Sequence, residues 1–85
     1  MDIRRLVGKN VQRCREAAGL SQEDLAAQMG VDQAYISRLE AGNLNPTIVT
    51  IWHACEALAV EPVALFQATE TSTGKKARGT TASKK

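Results

Sequence analysis

The sequence predicts an all-α fold, a compact domain of five helices, and three observations carry that expectation. Apolar residues recur at helical spacing in successive segments. Gly19, Gly30 and Gly42 fall where those segments stop. The 44% hydrophobic share leans on Ala, Leu, Val and Ile, with Tyr35, Trp52 and Phe66 as the only aromatics, which favours helices over strands.

In the first helix, from residue 3 to residue 18, apolar side chains at 3, 7, 11, 14 and 18 make one stripe, and Gly19 stops it. Ser21 with Asp24 three residues on is a shortened capping box, and Leu25, Ala26 and Met29 give the second helix its apolar face up to Gly30. Asp32 suits the N-cap of a third helix, where Ile36 and Leu39 lie one turn apart and Gly42 marks the exit. Residues 42–46, GNLNP, read as a loop. Thr47 caps a fourth helix with Ile48, Ile51, Cys55 and Leu58 inward, and Pro62 opens a short fifth helix running to about residue 67.

Residues 1–67 therefore read as one folded domain. Beyond them, residues 68–85, ATETSTGKKARGTTASKK, hold no Leu, Ile, Val or aromatic to offset the entropy of ordering, and read as a disordered basic tail. The formal charge of +2 is unevenly divided. Residues 1–67 carry six basic and eight acidic side chains, whereas residues 68–85 carry five basic and one acidic. A body that is net acidic is not the uniformly basic surface of a non-specific nucleic-acid coat. Its cations are concentrated instead, with Arg4, Arg5, Lys9, Arg13 and Arg15 close together in the first helix.

The most informative stretch is residues 22–39, QEDLAAQMGVDQAYISRL. Two helices crossing steeply through a three-residue turn need a small residue where they pass, a residue tolerant of positive φ at the turn, and two apolar anchors. Ala26, Gly30, Ile36 and Leu39 meet those needs in order. Gln33, Ala34, Ser37 and Arg38 are left on the outer face of the third helix. In a major groove, Gln reads adenine, Arg reads guanine, and the Ala methyl touches thymine. Tyr35 either aims its hydroxyl at a phosphate or only covers core.

With GLSQEDLAAQMG, VDQAYISRLEAGNLNP and IWHACEALAVEPVALF, residues 3–67 resemble the phage-repressor (Cro-like, XRE family) helix-turn-helix domain. The resemblance implies the lambda-repressor-like arrangement, with helices two and three as the DNA-reading pair. It implies base contacts from Gln33, Ala34, Ser37 and Arg38, and phosphate contacts from Ser21, Gln22, Tyr35 and Asn43, with Asn45 nearby. It also implies a structural pair between Arg15 and Glu40. The family usually has Gly where Ala59 stands, which implies a strained or altered turn after helix four.

The resulting expectation is a sequence-specific transcriptional regulator of double-stranded DNA, bacterial or phage-encoded, cytoplasmic and associated with the nucleoid. It would bind a pseudo-palindromic operator as a homodimer through Val49, Trp52, Val63 and Phe66, because one such domain makes few base contacts. The alternatives are an antitoxin of a toxin-antitoxin pair, a controller protein of a restriction-modification system, or a protein-interaction module that no longer binds DNA. No enzyme, membrane span, small-molecule ligand, cofactor or metal is expected. Cys14 and Cys55 lack a CxxC or a His partner at ligand spacing and read as core filling in a reducing compartment. His53 has no nucleophile and base beside it in sequence and reads as a surface residue.

Overall fold

A computed structural model describes residues 1–68, in which α1 (Ile3–Ala17), α2 (Gln22–Met29), α3 (Gln33–Glu40) and α4 (Ile48–Leu58) are followed by a 3-10 turn (Pro62–Leu65). The expected basic tail, apart from Ala68, lies outside the described residues.

Side-chain caps start three of the four α-helices. The Asp2 carboxylate accepts the Arg4 backbone N–H at 3.0 Å and caps α1. At α2, Ser21 Oγ accepts the Asp24 N–H while the Asp24 carboxylate accepts the Ser21 N–H, both at 3.0 Å, a complete capping box. Thr47 Oγ1 accepts the Thr50 N–H at 3.0 Å and caps α4. Asp32 does stand at the N-cap of α3, but its side chain makes no capping bond there.

All four α-helices end alike. The N–H groups of Leu20, Val31, Asn43 and Val60 reach back to the carbonyls of Arg15, Ala26, Arg38 and Cys55, each across a residue in the left-handed conformation. That residue is Gly at 19, 30 and 42, but Ala59 after α4, with φ 56° and ψ 44°. The turn keeps its form and the strain falls on Ala59, among the described residues the one non-glycine with positive φ.

The core gathers Val7, Val11 and Cys14 of α1, Leu25 and Ala26 of α2, Ile36 and Leu39 of α3, Ala54, Cys55 and Leu58 of α4, and Leu65. Full burial of side chains such as Leu25 or Ile36 contributes roughly 1.5–3 kcal/mol each. Gly8 lets α1 and α3 approach closely. A Cβ at residue 8 would collide with the backbone carbonyls of Leu39 and Glu40. Asn10, fully buried, donates through Nδ2 to the carbonyls of Leu65 (3.0 Å) and Gln67 (2.8 Å). It accepts from Arg13 Nη2 at 3.0 Å, and Arg13 also donates to the Ala64 carbonyl at 3.3 Å. The end of the domain is thus fastened to α1 by side-chain hydrogen bonds, one of which satisfies the buried Leu65 carbonyl.

Several expectations are corrected. The fifth helix is a single 3-10 turn that stops at Leu65, too short for an α-helical repeat of hydrogen bonds. Ile48 continues the α4 stripe one turn past the core and is 85% exposed, whereas Ala54 takes an inward place. Ile3 is half exposed and Ala18 is the cap residue after α1, so the true α1 stripe is Val7, Val11 and Cys14. Cys14 and Cys55 are buried free thiols, and burial, with the neighbouring Cys14, pushes the Cys55 thiol up from its ordinary pKa. Among the described residues, no helix is long and apolar enough to cross a membrane, and no cluster of three or more His, Cys, Asp or Glu could hold a metal.

Candidate nucleic-acid interface

The interface is built on α3. Ile36 and Leu39 are buried and hold the helix against the body, with Gly30 at φ 71° turning the chain between α2 and α3. The inward anchoring leaves Gln33, Ala34, Ser37 and Arg38 exposed on the opposite side. Tyr35, between the two faces, is half-buried and packs its ring on the core. The backbone N–H of Asn43 bonds the Arg38 carbonyl at 2.9 Å, fixing the loop after α3, and the Asn43 and Asn45 side chains lie exposed there.

Behind this face lies an ion pair. Arg15 Nε and Nη2 meet Glu40 Oε2 and Oε1 at 2.6 and 3.1 Å, a two-pronged bond, and Arg15 Nη1 donates to the Leu20 carbonyl at 2.8 Å. Both side chains are almost wholly buried. Glu40 holds the Arg15 pKa above its ordinary value chiefly through this hydrogen bond. The pair expected between Arg15 and Glu40 is therefore formed, and it joins α1 to the end of α3.

The chain of bonds continues outward. Gln22 Nε2 donates to Glu40 Oε1 at 3.0 Å, and Gln33 Nε2 donates to Gln22 Oε1 at 2.6 Å. Gln22 is half-buried, with its side chain engaged by α3. Sequence reasoning placed Gln22 and Gln33 on one surface but missed their mutual bond, since no local spacing links residues eleven apart. Asn10 was missed too, although a polar residue on the apolar stripe of α1 was a visible signal.

Of the remaining phosphate candidates, Ser21 is exposed and its hydroxyl oxygen is engaged as acceptor in the capping box, which leaves its proton to donate outward. The first N–H groups of α2, those of Gln22 and Glu23, precede the capped Asp24 N–H and lie at the positive end of the helix. Among the body's cations, Arg4 is paired with Asp2 at 3.1 Å, Arg15 with Glu40, and Arg13 bonds Asn10 and Ala64. The stem of Arg5 lies over Gly42, beside the loop after α3.

The residues expected at a dimer surface are exposed: Val49 61%, Trp52 51%, Val63 63% and Phe66 44%. Ile48 joins them, and Ile48, Ile51, Trp52, Pro62 and Phe66 line a shallow apolar depression between α4 and the closing turn.

Two short helices crossing through a glycine turn, the second anchored by two aliphatic residues and polar on its free side, define a helix-turn-helix domain. The chain belongs to the HTH_3 helix-turn-helix family, whose profile matches residues 11–65. It is 44% identical over 70 residues to the uncharacterized HTH-type transcriptional regulator y4dJ of Sinorhizobium fredii, covering 82% of this chain and 91% of that protein. Among solved structures it is similar to the restriction-modification controller protein C.AhdI of Aeromonas hydrophila, at TM-score 0.70 and 39% identity, over 73% of this chain and 94% of that one. It is also similar to the hypothetical transcription factor NHTF of Neisseria, at TM-score 0.76 and 32% identity, over 80% of this chain and 78% of that one.

Proposed function

We propose that this protein is a sequence-specific regulator of transcription that binds double-stranded DNA as a symmetric dimer on a pseudo-palindromic operator. The observation that carries the reading is the exposed, acid-free face of α3, with Gln33, Ala34, Ser37 and Arg38 projecting from a helix pinned by Ile36 and Leu39. A major groove about 12 Å wide admits such a helix. Gln33 and Arg38 supply the hydrogen-bonding groups that suit adenine and guanine, and Ala34 a methyl for thymine. Ser21, Gln22 and Asn43 flank that helix as phosphate contacts and Tyr35 adds one from within it, with Gln22 acting through its backbone N–H at the α2 terminus as well as its side chain. The protein works by occupying DNA, without catalysis, in the cytoplasm.

The dimer uses Val49, Trp52, Val63 and Phe66, together with Ile48. Apolar side chains this exposed on one side of so small a domain suit a self-complementary contact. Two domains then read two half-sites about one helical turn apart. The likeness to C.AhdI favours a second, narrower reading, in which the regulated genes encode a restriction-modification system. The genes beside the coding sequence decide between them.

Selection from random duplex DNA tests the proposal. The expected result is an enriched sequence with two-fold symmetry, bound by two protein chains in sedimentation. Enrichment of no sequence would overturn DNA reading, and binding of a single chain to a non-symmetric site would overturn the dimer.

A further inference from the structure

We infer that Asn10, assisted by Arg13, is a positioning residue for self-association: from α1 it fixes the backbone of residues 64–67 and so holds Val63 and Phe66 in the geometry the dimer needs. The inference rests on the reading of Val49, Trp52, Val63 and Phe66 as the dimer surface. The closing segment has little to hold itself. Its 3-10 turn spans Pro62–Leu65, and among the described residues its backbone bonds run from the Ala64 N–H to the Glu61 carbonyl at 2.9 Å and from the Phe66 N–H to the Val63 carbonyl at 3.0 Å. Hydrogen bonds of this kind have poorer geometry than those of an α-helix. Leu65, fully buried, anchors the segment in the core, but one side chain leaves the backbone free to swing about it.

Side chains of α1 supply the missing constraint. Asn10 directs its two N–H donors to the carbonyls on either side of Phe66, that of Leu65 at 3.0 Å and that of Gln67 at 2.8 Å. Its oxygen accepts from Arg13 Nη2 at 3.0 Å, so both donors and the acceptor of the amide are engaged. Arg13 Nη2 also donates to the Ala64 carbonyl at 3.3 Å. The carbonyls of residues 64, 65 and 67 are thus drawn to α1, while Val63 and Phe66 remain exposed. Phe66 lines the apolar depression with Ile48, Ile51, Trp52 and Pro62. No residue of α1 is assigned to the dimer surface, yet α1 dictates where Phe66 stands. A buried amide beside Val7, Val11 and Cys14 is costly unless bonded, and a leucine of like volume would fill the space. Leucine could not hold two carbonyls around Phe66. A segment ordered before association need not be ordered by it, so the clamp lowers the entropy lost on pairing.

Asn10→Leu removes all three bonds of the amide at nearly constant volume. Arg13→Met, at an exposed position, removes the Ala64 tie and the partner of the Asn10 oxygen with little risk to the fold. Circular dichroism checks that each variant is folded at the temperature of the assay. The full chains are sedimented over a concentration series, then titrated with the selected operator and with a duplex carrying one half-site. Asn10→Leu should raise the dimer dissociation constant by roughly tenfold and Arg13→Met by roughly threefold, the range expected for losing a few hydrogen bonds. Affinity for the single half-site should match the parent's, and covalent fusion of two Asn10→Leu chains should recover operator affinity, because linkage replaces the weakened association. Dissociation constants equal to the parent's in the folded variants would overturn the clamp, with Arg13→Met deciding alone should Asn10→Leu fail to fold. Equal losses on half-site and operator would overturn it as well, since the damage would then lie in the fold that carries α3. A parent protein that stays monomeric with and without the operator would instead overturn the dimer on which the inference stands.

Discussion

Ala59→Gly should stabilise this protein, although substitution to glycine inside a helix usually destabilises. Ala59 holds φ 56° and ψ 44° in the turn that closes α4, where the Val60 N–H reaches back to the Cys55 carbonyl at 3.0 Å. A non-glycine residue in that region bears a steric cost of roughly 1–2 kcal/mol. Glycine removes that cost but loses more backbone freedom on folding, about 0.4–1 kcal/mol. The Ala59 side chain is exposed, so little apolar burial is lost with its methyl group. The balance is a gain of about 0.5–1 kcal/mol, or several degrees in the thermal midpoint of a domain this small. The matching control is Gly30→Ala, at φ 71°. Nothing lies within 4 Å of the added Cβ there, so backbone strain acts without a clash, offset in part by the lower chain entropy of Ala, and the midpoint should fall by a similar amount. Calorimetric or circular-dichroism melting of both variants measures the pair. A midpoint for Ala59→Gly at or below that of the parent would refute the assignment of strain to residue 59.

Arg38→Ala should weaken binding to the selected operator by about 1–3 kcal/mol while the thermal midpoint stays nearly unchanged, measured by titration of labelled duplex and by melting. Two carboxyls lie below their ordinary pKa: Asp24 because it accepts the Ser21 N–H, and Asp2 because it bonds Arg4. A depressed folded pKa gives stability that is present above the unfolded value, 3.8 for each, and lost as pH falls through the folded one. Denaturation midpoints should therefore drop as pH falls below about 4, and Asp24→Asn should flatten part of that dependence; identical pH profiles for variant and parent would contradict the capping box as its source. Trp52→Glu should convert a dimer at micromolar concentration to a monomer in sedimentation, and an unaltered dimer would move the interface elsewhere. Deleting residues 69–85, which carry five of the chain's eleven Lys and Arg, should lower affinity for all duplexes alike and reduce the slope of log affinity against log salt by roughly 0.9 for each lost phosphate contact, leaving the selected sequence unchanged.

The sequence by itself determined most of what depends on neighbours within a turn, although Asp32 at the N-cap of α3 makes no capping bond. Ser21 and Asp24 form their capping box because both partners lie three residues apart, and glycines at 19, 30 and 42 end helices because the left-handed conformation is a property of one residue. The exposed quartet Gln33, Ala34, Ser37 and Arg38 followed from Ile36 and Leu39 facing inward, since a helix of 3.6 residues per turn fixes one face once the other is known. Burial at the ends of the stripes was not legible. Ile3 and Ile48 keep the helical spacing but extend past the core, and the sequence does not record where the packing partner stops. Bonds between distant residues were decided by tertiary structure alone. Asn10 meets the Leu65 carbonyl 55 residues away, and Gln22 meets Glu40 and Gln33 only because α2 and α3 cross beside Arg15. Local spacing dictates which face a side chain occupies. What stands opposite that face is set by how the helices pack.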